Sequence, residues 1–124
     1  MNITDNIVQN CMLWLTDLST YRYRIQKMQV HLQNIKTQFS LLGKFEQYVN
    51  LSRDLQTALK KLKAVEAKVI HTIKMHQNEL YVPALNKLLD LQNENELFDN
   101  MIYANKITVE LQRSVGNCFK QYET

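Results

Sequence analysis

The sequence predicts an all-α fold: an elongated antiparallel (up-down-up) three-helix bundle with coiled-coil-like packing, in a single domain spanning 1–124. Three observations carry that expectation. Apolar residues recur at alternating steps of four and three from Ile7 through Cys11, Trp14, Leu18, Tyr21, Ile25, Met28, Leu32 and Ile35 to Phe39. A 3.5-residue repeat keeps one face of a helix against its neighbour while both wind gently around each other. The chain holds only two Gly and one Pro, so it has few places to turn. Its 124 residues, 45% hydrophobic and 22% charged, suffice for a core without metals or disulfides and are not the composition of a disordered chain.

The first helix is expected to begin at residues 2–5, where Asn2, Thr4 and Asp5 can accept hydrogen bonds from free N–H groups, and to run to about Phe39. Residues 40–43 form the first turn, because Gly43 can take the left-handed conformation that ends helices. The second helix runs from about 45 to 78 on a seam of Tyr48, Ser52, Leu55, Leu59, Leu62, Glu66, Val69, Ile73, His76 and Leu80. Val49, Leu51, Val65 and Ile70 widen that stripe, as suits a helix touching two neighbours.

Pro83 starts the third helix and biases Val82 away from helical geometry. Its late seam is Leu97, Met101, Ala104, Thr108, Leu111, Val115, Cys118 and Tyr122. The earlier Leu85, Leu88, Leu89 and Leu91 are out of phase with it, and five polar residues at 92–96 join the two. That junction is either a stutter in one helix or a break near 92–96 that sets off a fourth short helix. With no Gly or Pro there, the continuous helix is the expectation. Three such helices would each be about 50 Å long.

Little in the chain points to catalysis. Cys11 and Cys118 fall on apolar seams and are read as buried, reduced thiols at opposite ends of the rod, so no disulfide is expected. His71 and His76 are five apart and point to different sides, neither cysteine has a CxxC or CxxH neighbour, and no metal or other cofactor is expected. None of the nucleotide-binding, serine-hydrolase or zinc-protease motifs occurs, and the catalytic set is expected to be empty. Arg24 and His31 flank the first seam with six residues between them, a spacing that resembles the Arg and His of the HEPN-type helical ribonucleases. The apolar Ile25, however, follows Arg24 where that family tends to have a polar residue, and the pair sits in a different helix from the family's. The acidic run Asp90, Glu94, Glu96 and Asp99 reads as a solvated face or a docking patch for a basic partner. The first eighteen residues lack a basic stretch ahead of their apolar ones, and no segment approaches the roughly 18 apolar residues that span a bilayer. The expectation is a cytoplasmic protein with no membrane association.

Charge is uneven. Residues 1–83 carry 11 Lys or Arg against 6 Asp or Glu, and 84–124 carry 4 against 6, for a net +3. The expected function is a non-enzymatic protein–protein interaction module: a small helical adaptor, regulator, inhibitor or assembly subunit. Arg22, Tyr23, Tyr81 and Tyr103 are the candidate contacts, since the tyrosines lie off the seams and Tyr and Arg dominate interface energetics. Self-association is included, with Arg22, Arg24 and Lys36 available to set helix pairing. The alternative is a nucleic-acid-associated accessory protein using Lys60, Lys61, Lys63, Lys68 and Lys74 of the second helix as phosphate contacts.

Overall fold

The computed structural model describes the backbone of residues 3–77 and 83–120 and the side chains of 6–77 and 91–120. Its elements are α1 (Ile3–Asn34), α2 (Lys36–Leu41), α3 (Phe45–His76) and α4 (Pro83–Lys120), an all-α bundle with no strand among the described residues. The expected contributions of Asn2, Thr4 and Asp5 to capping, and of Leu80, Leu85, Leu88, Leu89 and Tyr122 to the seams, lie outside the described side chains.

Contacts between helices give their directions. Phe39 and Tyr48 place their rings 5.8 Å apart at one end, while Arg22 reaches Glu66 at 2.8 Å farther along, so α3 runs antiparallel to α1. Asn10 reaches Glu94 at 3.3 Å, and His31 meets Phe119 edge-on at 5.9 Å, so α4 runs parallel to α1. Lys68 near Glu96 and Lys61 near Tyr103 show α3 antiparallel to α4. This is the up-down-up order.

Stepping along that register stacks the seams into layers. Cys11 lies level with His76 and Leu97, Leu18 with Val69 and Ala104, Ile25 with Leu62 and Leu111, and Leu32 with Leu55 and Cys118, all of them buried. One layer is polar. Tyr21 and Glu66, both half-buried, come level with the buried Thr108, whose hydroxyl donates to the Ala104 carbonyl at 2.8 Å. Glu66 takes the Arg22 guanidinium. The Arg22–Glu66 pair ties this layer across α1 and α3, while Thr108 is satisfied within its own helix. Ala58, fully buried, joins the core outside the expected α3 seam, because α3 packs against both α1 and α4 and buries a wide stripe.

One expectation about helix breaks is corrected and the other, a continuous helix across 92–96, is met. The first helix does not run unbroken to Phe39. At Ile35 its ladder tightens to an i→i−3 bond onto the Leu32 carbonyl, and the short α2 follows. The fourth helix is therefore α2, and no break occurs near 92–96: α4 is continuous from Pro83 to Lys120. The seam survives the Ile35 kink, with Ile35 half-buried and Phe39 fully buried.

The turn after α2 is the one expected. Gly43 has φ +68°, the Lys44 N–H donates to the Phe39 carbonyl, and the Gly43 N–H donates to the Ser40 carbonyl, a Schellman closure. A Cβ on Gly43 would meet nothing within 4 Å, so Gly43→Ala should lose about 1 kcal/mol through backbone strain alone. Gly116 lies inside α4, where a Cβ also meets nothing. Gly116→Ala should therefore gain up to about 1 kcal/mol. Urea midpoints of the two variants should move in opposite directions.

Candidate protein-interaction surface

Among the described residues, α4 carries an exposed second seam, one residue beyond the buried one. Taken in alternating steps of four and three it reads Leu91, Asn95, Phe98, Ile102, Asn105, Val109, Gln112, Gly116 and Phe119, with no charged residue among the nine. Phe98 is 55% exposed and Ile102 53%, Leu91 and Val109 are exposed as well, and Phe119 is half-buried. Scattered exposed apolar residues are ordinary. A line of them at coiled-coil spacing along one helix is the form a helix-docking face takes.

Beside this seam lies an open groove between α1 and α4, about 470 Å³, walled by Thr20, Tyr23, Arg24, Lys27 and His31 from α1 and by Gln112 and Phe119 from α4, with Met28 lining it as well. The upper stretch of α1 adds Leu13, 64% exposed. Arg24 and His31 thus share one groove, and His31 is held edge-on by Phe119. A smaller groove of about 340 Å³ runs between α3 and α4 past Lys61, Ile107 and Glu110. Leu41, Leu42 and Phe45 form a separate exposed apolar tip at the α2–α3 turn, where Lys36 sits over the Phe45 and Tyr48 rings.

Of the four contact residues expected from sequence, the three that are described are not gathered into one site. Arg22 is committed within the chain, its guanidinium 2.8 Å from Glu66. Tyr23 is exposed on the α1–α4 groove. Tyr103 faces α3, where its hydroxyl accepts a hydrogen bond from Lys61 Nζ at 3.0 Å. Tyr81 lies outside the described residues. Of the charges expected to set helix pairing, Arg24 is exposed on the groove and Lys36 is engaged over aromatic rings.

The basic residues of α3 divide among its sides. All five lysines are exposed. Lys61 and Lys68 lean toward α4, meeting Tyr103 and Glu96. Lys60 and Lys74 share the outward face with Arg53 by heptad spacing, and Lys63 stands apart on the flank toward α1. The acidic run is split too. Glu94 turns to Asn10, Glu96 to Lys68, Asp99 is exposed, and the side chain of Asp90 lies outside the described ones.

Cys11 and Cys118 are both buried and free, about twenty helical residues (roughly 30 Å) apart along the bundle. Burial, then the Glu94 carboxylate, pushes the Cys11 thiol up to about 11. Burial also raises Cys118, against the lowering charge of Lys44. The sign follows from the neutral thiol being the favoured form. The folded chain keeps a proton that the unfolded chain releases from about pH 9, so this stability is complete below pH 9 and lost as pH climbs toward 11. Between pH 8 and 10.5 Cys11 should contribute a loss of about 2 kcal/mol, and Cys11→Ala should flatten the urea-midpoint profile over that window.

Among the described residues no group of three His, Cys, Asp or Glu converges to hold a metal ion. His76, buried, places Nδ1 2.8 Å from the Thr72 carbonyl, while His71 is exposed. No helix among the described residues is long and apolar enough to cross a membrane. No protein-family model, curated protein or solved structure matches the chain.

Proposed function

We propose that this protein is a non-enzymatic interaction module, of the adaptor, regulator, inhibitor or assembly-subunit kind, that docks a helix of another polypeptide along its α1–α4 face. The uncharged exposed seam of α4 carries this reading. Phe98, Ile102 and Val109 offer apolar anchors at helix-pairing spacing, and Tyr23 and Arg24 on the adjoining groove supply side-chain types that dominate interface energetics. Burying such a seam releases water from apolar surface at roughly 25 cal/mol per Å², a gain that salt does not screen.

The competing reading, phosphate contact through α3, draws on the outward line of Arg53, Lys60 and Lys74. Salt separates the two. Phosphate binding weakens steeply between low and moderate salt, and apolar docking does not. The test is purification from native cells at moderate salt after nuclease treatment, with wild type, Phe98→Glu/Ile102→Glu and Lys60→Glu/Lys61→Glu/Lys63→Glu compared. A protein that co-purifies with wild type and the lysine variant, and is lost from the α4 variant, is the expected result. Binding that vanishes with nuclease or with the lysine variant, and persists in the α4 variant, overturns it.

A further inference from the structure

We infer that the occupant of the α1–α4 face is a second copy of this chain, laid antiparallel about a two-fold axis that passes level with Thr20 and Tyr21 of α1 and Asn105 and Lys106 of α4. The inference rests on the docking role proposed for this face, and it names the partner.

Charge placement on the two helices carries it. On α4 the outer flank of the exposed seam holds Asp99 and, two heptads on, Arg113, both exposed. An antiparallel copy sets each Asp99 against the partner's Arg113 when the axis lies level with residue 106, their midpoint. On α1 the flank toward the groove holds Asp17 and, one heptad on, Arg24, also both exposed. An antiparallel copy sets each Asp17 against the partner's Arg24 when the axis lies level with their midpoint, between 20 and 21.

One axis can serve both helices only if these midpoints stand at the same height in the bundle. They do. The Asn10–Glu94 contact offsets the helices by 84 residues and the His31–Phe119 contact by 88, which brings residue 106 level with residues 18–22 of α1. A two-fold dimer requires that coincidence, because an isologous interface pairs a surface with itself. A foreign helix would impose no such relation between α1 and α4.

The same axis pairs the seam sensibly. Ile102 falls against the partner's Val109, Leu91 against the partner's Phe119, and Phe98 against the aliphatic part of the partner's Gln112. Asn105 meets its own copy near the axis, where two amides can exchange hydrogen bonds, a use that seam asparagines have in fixing register. Thr20 meets its own copy on the α1 side. Lys106 also nears its own copy and is the one like-charge contact, its exposed four-carbon stem letting the ammonium turn to water.

The experiment is sedimentation equilibrium of the full chain at moderate salt, with circular dichroism confirming that each variant is folded. All substituted positions are exposed. Wild type should sediment at twice the 14.7 kDa chain mass. Arg24→Asp should weaken the dimer about tenfold by facing two carboxylates, and Asp17→Arg combined with Arg24→Asp should restore it, since the reversed pair is again complementary. Asn105→Cys should form an intermolecular disulfide under mild oxidation, while Leu91→Cys should not, because an antiparallel copy carries residue 91 to the far end. A monomer at all concentrations, a dimer indifferent to Ile102→Glu, or efficient cross-linking through Leu91→Cys would each overturn the proposal. A monomer whose capture of a foreign protein is still abolished by Phe98→Glu/Ile102→Glu would sink the self-pairing alone and leave the docking role standing.

Discussion

Phe39→Ala should cost about 3–5 kcal/mol, a large fraction of the stability of a domain this size. Phe39 is fully buried, the largest of the side chains with no exposed surface. Its ring fills the corner between α2 and α3 against Tyr48, which in turn stacks on Phe45 at 5.7 Å and lies under the Lys36 ammonium. Its carbonyl accepts the Lys44 N–H that closes the Schellman turn, so the side chain and the turn hold the same corner. Truncation leaves a cavity that a short helix between a kink and a turn can only partly collapse. Leu41→Ala is the control: Leu41 is 81% exposed on the same turn and should change stability by no more than about 0.5 kcal/mol. Urea denaturation followed by helix signal reads both. A Phe39→Ala loss below about 1 kcal/mol would show that this corner contributes little to the fold.

Much of this architecture is legible because long helices advertise themselves. The ten-position seam of the first third becomes ten buried or half-buried side chains from Ile7 to Phe39, and the α4 seam from Leu97 to Cys118 is buried throughout. Gly43 marks the first turn for the stated reason, a positive φ. The Ile35 kink leaves no mark in the sequence, since no Gly or Pro causes it and the apolar spacing continues across it. Such a local tightening of the backbone ladder is decided by how α2 and α3 pack, which spacing does not encode.

The candidate surface was harder to read, for a specific reason. Its seam is the buried α4 seam displaced by one residue: Phe98 beside Leu97, Ile102 beside Met101, Val109 beside Thr108. In a sequence the two together look like one wide stripe, and only burial separates the face turned inward from the face left open. The leucines near the start of α4 held the clue. Leu88 and Leu91 are out of phase with the buried seam and in phase with the exposed one, so the apparent stutter marks two interleaved seams on one continuous helix. Of the tyrosines that lie off the seams, Tyr23 is exposed on the groove. Tyr103 is held by Lys61, and Arg22 by Glu66.

Leu18→Ala is expected to lose about 3–5 kcal/mol alone, and part of that loss should be recovered by a second change on a different helix. Leu18, Val69 and Ala104 share a layer in the register fixed by the Asn10–Glu94, Arg22–Glu66 and His31–Phe119 contacts, and all three are buried. Ala104 is small where Leu18 is large, the alternation by which facing positions fill one layer. Ala104→Leu alone should cost about 1–3 kcal/mol by overpacking. Combined with Leu18→Ala, the new leucine occupies the space the old one vacated. The double variant should then be more stable than the two single losses predict by about 1–3 kcal/mol, the coupling of residues that share a cavity. Ala104→Leu with Leu32→Ala, whose sites lie four layers apart, should instead be additive within about 0.5 kcal/mol. Chemical denaturation of these variants reads the α1–α4 register directly, and that register underlies both the layer stacking and the shared two-fold axis. Additivity at Leu18 and Ala104 would shift the two helices relative to each other, and the coincidence of the Asp17–Arg24 and Asp99–Arg113 midpoints would fall with it.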